Sequence, residues 1–153
     1  MDSKKPQKRH KALQPLSREH HHGLLLSWKI RAGFSKNVKP ERMKTYADWF
    51  FKTHLIPHFE LEEEHIFTIL EADNDLVKRA LADHRRLKRL FAEEDITTAL
   101  SNIEEVLDAH IRYEERVLFP EIQKAATEAQ LDHIEKIHHE EGFVDNLDDE
   151  FWK

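Results

Sequence analysis

The sequence predicts an all-α fold: an up-down-up-down four-helix bundle with an additional C-terminal helix. Three observations lead there. Only 3 Gly and 5 Pro punctuate 153 residues, 35% of the chain is charged, and Leu, Glu, Lys and Ala are abundant; such a composition favours helices over strands and turns. Apolar residues recur at steps of three and four through four long stretches, the period of a helix with one buried face. The stretches are joined by short connections, which make consecutive helices antiparallel neighbours.

Each element has a local reason. Residues 1–12 hold Lys4, Lys5, Lys8, Arg9 and Lys11 without apolar periodicity and read as a flexible basic head. No aromatic residue interleaves those charges, which argues against a nucleic-acid-binding arm. The first helix begins at or slightly before Ser17, whose hydroxyl can cap exposed amides, and runs to about Phe34 before the loop of Gly33, Ser35 and Asn37. Pro40, suited to a first helical turn, opens a second helix to about Glu71. Pro57 has no amide to donate, so a kink is expected about one turn before it. Asp73-Asn74-Asp75 caps a third helix from about Leu76 to Glu94. The fourth runs from about Ile96 to Phe119, where Pro120 bends or restarts it. Thr127 and Gln130 form the capping box of a fifth, ending near Glu141. The bundle thus occupies residues 13–125, and residues 126–153 hold the extra helix and an acidic tail with aromatic ends.

Several function classes drop out. Without cysteine there is no disulfide, iron–sulfur ligation, thiolate zinc site or cysteine nucleophile. No apolar run approaches ~18 residues and none follows the basic N-terminus, so neither a membrane span nor a secretory signal is expected, and a cytoplasmic location follows. The anomaly is histidine, with 12 residues in a chain of net charge −6.

Histidine and glutamate interrupt the apolar stripes in a pattern. The fourth helix presents Leu100, Ile103, Leu107, His110, Glu114 and Val117; the second presents Phe51, Leu55, His58, Glu62, His65 and Ile69. Laying His58–Phe67 over His110–Phe119 puts His, Glu, Glu and Phe at identical offsets. A His and a Glu four residues apart project from one helical face, close enough to share a metal. The third helix adds His84 on the stripe Val77, Leu81, His84, Lys88, Phe91. In the first helix His20 lies on the stripe Leu13, Leu16, His20, Gly23, Ser27, Ile30, Phe34, and His21 on one through Ser17, Leu24 and Trp28. Glu19-His20 parallels Asp83-His84, which favours His20 over His21.

The candidate metal ligands are therefore His20, His58, Glu62, His84, His110 and Glu114. Buried unpaired carboxylates are costly, and two divalent cations neutralise both at once. A set of six nitrogen and oxygen ligands suits iron or manganese better than four-coordinate structural zinc. Glu63, Glu64 and Glu115 read as a solvated face, and His65 as a neighbour of the site or an extra ligand. His54 is expected to orient or to lie on the surface, and His133, His138 and His139 to be exposed. Tyr113 points off the stripe.

With Glu19-His20, the paired H-x3-E blocks His58/Glu62 and His110/Glu114, and His84 in ADHRRLKRLF, the sequence resembles a hemerythrin-like, or HHE cation-binding, domain over roughly Leu13 to Ala125. The resemblance implies two non-haem iron ions bridged by the two carboxylates, with manganese or zinc as other occupants, and a position for a small ligand. It departs from the oxygen carriers in two places. Ala80 stands where their third helix bears a second histidine one turn earlier, and the fourth helix carries H-x3-E rather than a histidine with an aspartate five residues on. One ligand fewer implies an open position beside the third helix, and favours sensing, scavenging or storage of O2, NO or peroxide over reversible oxygen carriage. Whether the chain is an enzyme stays open. The alternative is a ferritin-like di-iron oxidase or iron-handling enzyme built on Glu62-x-x-His65 and Glu135-x-x-His138; a third reading is a metal-free helical interaction module.

Overall fold

Helix α1 (Gln14–Ser35) ends in a loop where Asn37 takes a positive φ of 57°, a conformation asparagine tolerates. The computed structural model describes residues 8–138 and 142–153. Helix α2, residues 40–69, opens on Pro40. Helix α3 (Asp75–Phe91) is capped by Asn74, whose side chain accepts from the amides of Leu76 and Val77. Helix α4, residues 96–125, is capped by Asp95, which accepts from the Thr98 amide. Helix α5 (Glu128–Ile137) begins at the expected capping box of Thr127 and Gln130. It stops at Ile137, short of the expected end near Glu141; His139 lies outside the described residues.

The four long helices alternate in direction. Between α1 and α2, Lys29 meets Tyr46 and His20 meets His58. Between α3 and α4, His84 meets His110 and Leu76 meets Tyr113. Arg31–Glu104 and Ser17–Glu115 set α1 against α4, and Phe51–Phe91 and Glu63–His84 set α2 against α3. In every pair one number rises as the other falls, so each neighbour is antiparallel. Among the described residues there is no strand and no helix long and apolar enough to cross a membrane.

Two apolar clusters fill the bundle, one around Leu26, Ile30, Met43, Phe50, Leu87, Leu100 and Leu107, the other around Leu13, Leu16, Ile66, Val77, Leu118 and Ile122. Helix α5 joins the second through Leu131 and Ile134. Between the clusters lies a belt of buried polar residues. The expected flexible head is packed from Arg9 onward: Arg9 donates to the Glu115 carbonyl at 2.8 Å, and Ala12 and Leu13 are buried. Its Lys4 and Lys5 lie outside the described residues. The acidic tail also returns to the bundle. Asp145 accepts from Lys29 and Tyr46, and Phe151 is buried beside Gly33 and Met43.

Helices α2 and α4 contain wide π turns that the 3.6-residue period does not foresee. The amides of Ile56, Phe67 and Phe119 donate to carbonyls five residues back, at Phe51, Glu62 and Glu114. Two of these turns lie just before Pro57 and Pro120, where the proline has no amide for the carbonyl four residues earlier. Each wide turn inserts one residue and rotates the downstream face by about 100°. The expected stripe therefore fails after each glutamate. Val117 is 41% exposed and Leu118 is 0% exposed; on α2, Ile66 is buried where His65 was expected. On α3 the inward residues are Val77, Ala80, His84, Leu87 and Phe91, with Lys88 exposed.

Candidate metal centre

The polar belt is built from two copies of one local device. On α2 and α4 a histidine and a glutamate one turn apart face the axis, and on α1 and α3 a single histidine faces them. His20, His58, Glu62, His84, His110 and Glu114 are all buried and meet there. His20, His58, Glu62 and Glu114 offer ligand atoms within 4.8 Å of one another, and so do Glu62, His84, His110 and Glu114. Both carboxylates belong to both groups. His20 Nε2 lies 2.9 Å from Glu114 Oε1 and 3.6 Å from Glu62 Oε2, and His58 Nε2 lies 3.3 Å from Glu62 Oε2. On the other side His84 Nε2 is 3.2 Å from Glu62 Oε1 and His110 Nε2 is 3.2 Å from Glu114 Oε2.

These close approaches lack the geometry of hydrogen bonds. All four Nε2 atoms and all four carboxylate oxygens are buried without a hydrogen-bond partner, a costly arrangement for eight atoms aimed at one region. Two cations between the carboxylates would satisfy them, so the residues present fit a two-metal centre. His21 lies on the exposed side of α1.

Each imidazole is oriented from behind by a carboxylate on a neighbouring helix, and the four contacts close a ring. His20 Nδ1 is 2.6 Å from Glu115 on α4, and His58 Nδ1 is 2.7 Å from Glu19 on α1. His84 Nδ1 is 2.7 Å from Glu63 on α2, and His110 Nδ1 is 2.9 Å from Asp83 on α3. Such bonds fix the ring orientation and raise the basicity of the opposite nitrogen. Glu63 and Glu115, expected on a solvated face, thus belong to the site, whereas Glu64 is exposed. The signal was present in the doubled Glu62-Glu63 and Glu114-Glu115, each second glutamate standing about 100° from the first and facing the next helix.

The electrostatics follow from six carboxylates around four imidazoles. Burial opposes charge on His84, yet Glu114, Glu62 and Glu63 outweigh it and push its pKa up to about 11. The same contest, against Glu62 and Glu19, raises His58 to about 9. His20 and His110 are also raised by their carboxylates in spite of burial. Burial and the nearby Glu114 favour the neutral form of Glu62, and burial that of Glu114, but the surrounding histidines hold both below the ordinary range. Four imidazolium protons carry the same charge as two divalent cations, so cations can replace protons here without changing the total.

The remaining histidines do not join the cluster. His65 is 35% exposed at its side chain and lies beside Glu64 and His133, because the wide turn at Glu62–Ile66 rotates it outward. Glu135 sits 3.7 Å from Lys11, and His138 sits 3.2 Å from Glu19. The two E-x-x-H pairs of the ferritin-like alternative therefore do not converge. His138, expected to be exposed, is largely covered beside Glu19, whereas His133 is exposed. Tyr113 donates to the Leu76 carbonyl at 2.7 Å and ties α4 to α3.

A cavity of about 60 Å³ touches the centre on the side of α1, lined by His20, His58, His110, Gly23, Phe59 and Ile111 among others. The open position expected beside the third helix is not there: Ala80 is fully buried in the apolar cluster with Leu16, Ile66 and Leu118.

Comparison with known proteins agrees with this arrangement. The family model of the hemerythrin HHE cation binding domain matches residues 92–150, a stretch that carries His110, Glu114 and Glu115. The chain is thus similar to hemerythrin-like cation-binding domains, as its motifs indicate. No curated protein and no solved structure gives a significant match.

Proposed function

We propose that this chain holds two iron ions between Glu62 and Glu114 and uses them to bind or respond to a small ligand such as dioxygen, nitric oxide or peroxide. One observation carries the reading: two groups of four buried ligand atoms share both glutamates, and a small cavity reaches one side of them. His20 and His58 would hold one ion, His84 and His110 the other, and both carboxylates would bridge. Nitrogen and oxygen ligands in this number suit iron, with manganese as the nearest substitute. Iron, when bound, supplies the electrons and Lewis acidity that a diatomic or peroxide ligand requires. The chain's own residues do the rest. Glu19, Glu63, Asp83 and Glu115 orient the imidazoles, and the two apolar clusters keep bulk water away. Sensing, scavenging and storage all draw on this chemistry.

The test is metal analysis of protein purified without a histidine tag, followed by spectra under oxygen and nitric oxide. The expected result is close to two irons per chain and an absorption band that changes with the gas. A chain that retains no metal, or a band indifferent to both gases, contradicts the reading.

A further inference from the structure

We propose that Phe143 gates the cavity beside the metal centre and that His54 supplies the hydrogen bond to the ligand admitted, so that these two residues set ligand specificity. The inference rests on the two-metal reading. Its observations come from the C-terminal segment, residues 142–153, which that reading does not use.

The segment crosses α1 and α2 as a strap. Lys29 clasps it: Nζ donates to Asp145 at 2.7 Å and to the Tyr46 hydroxyl at 2.7 Å, and lies 3.9 Å from the Trp152 ring centroid. Phe151 pins the far end in the core. Among the described residues of the strap, Phe143 alone lines the cavity. Its ring stacks on His22 at 3.9 Å and 14°, and stands 4.7 Å from His54 and 6.3 Å from Phe50. A wider groove, lined by Glu19, Thr53, His54, His58, His138 and Val144, adjoins it. His54 lines both spaces, and Phe143 closes the inner one.

The chemistry of the cavity selects its occupant. A volume of about 60 Å³ holds roughly two to four heavy atoms and not a ring. Most of its wall is apolar, with Phe50, Leu55, Phe59, Leu107, Ile111 and Phe143 contributing. Against that wall His54 Nε2 is buried without a hydrogen-bond partner. A compact ligand with one polar end satisfies it, and a bulkier ligand requires Phe143 to leave. Because Asp145 is clasped two residues away, the ring can swing aside while the strap stays bound.

The experiment uses the full chain with Phe143→Ala, Phe143→Trp and His54→Leu, each checked for metal content. Azide and imidazole serve as small and bulky probes of the iron-loaded protein, followed by stopped flow. In parallel, carbethoxylation of His22 and His54 is mapped by peptide mass spectrometry in metal-free protein. Phe143→Ala should speed imidazole association and the modification of both histidines severalfold while leaving azide association little changed; Phe143→Trp should keep the discrimination. His54→Leu should speed azide dissociation about fivefold, the effect of losing one ordinary hydrogen bond. An unchanged imidazole-to-azide ratio with unchanged histidine modification in Phe143→Ala overturns the gate, and unchanged azide dissociation in His54→Leu overturns the role of His54. Absence of metal from the unsubstituted chain would instead overturn the two-metal reading, and the modification rates, which need no metal, would still decide the gate.

Discussion

The two halves of the centre, His20 with His58 and His84 with His110, share one ligand chemistry and differ in how they are packed. Each has two imidazoles, the same two glutamates and a carboxylate behind every ring. Around His84 the space is filled. Phe59 stacks on it at 3.8 Å, Phe67 lies 5.4 Å away, and Leu87, three residues on, is fully buried. At the corresponding positions the other half has Ile111 for Phe59 and Gly23 for Leu87. A Cβ at Gly23 would meet Ile111 Cδ1 at 2.6 Å, so the helices approach closely there, and the cavity opens beside them. Duplicated ligands set what is bound; unequal packing sets the side from which it is reached.

The largest expected effect tests the shared part. Glu62→Ala or Glu114→Ala should lose most of both ions, since each carboxylate serves both halves, whereas His58→Ala or His84→Ala should lose about one of the two. Metal content per chain distinguishes these. Equal losses from glutamate and histidine variants would deny the bridging role.

Next come the orienting carboxylates. Glu115→Gln acts on His20 and Asp83→Asn on His110, and each should weaken metal affinity by about 10- to 100-fold. Competition with a chelator measures it; unchanged affinity in both would make these contacts incidental.

Removal of metal should lower the melting temperature, by an amount that depends on pH. Raised imidazole pKa values stabilise the metal-free fold fully below the ordinary value of 6.5, and that contribution is lost as pH rises through about 9 for His58 and about 11 for His84. Depressed carboxylates act oppositely: their contribution is present above the ordinary 4.5 and lost as pH falls through their lower folded values. Protons therefore compete with metal well above neutrality, and the gap between loaded and metal-free protein should widen from pH 6.5 toward 9. With free metal at about a hundred times the dissociation constant the gap should be about 5 to 10 °C. Scanning calorimetry at several pH values checks this; a gap that narrows toward pH 9 would contradict it.

A smaller change probes the unequal packing. Gly23→Ala presses a methyl group against Ile111 and should cost about 1–3 kcal/mol, partly recovered by adding Ile111→Val. Urea unfolding measures both, and a neutral Gly23→Ala would mean that the close approach gives way freely.

The six inward residues were legible because H-x3-E occurs twice and an acid-His pair stands on each of the other two helices, and a helix's period turns that spacing directly into a shared face. Glu63 and Glu115 were not legible as parts of the site: a glutamate facing solvent and one facing the histidine of the next helix look alike in sequence. The strap escaped for another reason. It has no period, and single long-range contacts at Asp145, Phe143 and Phe151 hold it. The wide turns escaped because an inserted residue leaves composition untouched while rotating everything after it. Val117 shows the consequence and provides the smallest prediction: Val117→Ala should change stability by less than about 0.5 kcal/mol, against roughly 2–5 kcal/mol for Leu118→Ala. Reversed magnitudes in urea unfolding would restore the unbroken stripe.

The central claim, two ions sharing two carboxylates, is tested most directly by anomalous scattering at the iron edge from crystals of the iron-loaded chain. The account predicts two peaks between Glu62 and Glu114, one beside His20 and His58 and the other beside His84 and His110. A single peak, or peaks away from these six residues, would contradict it.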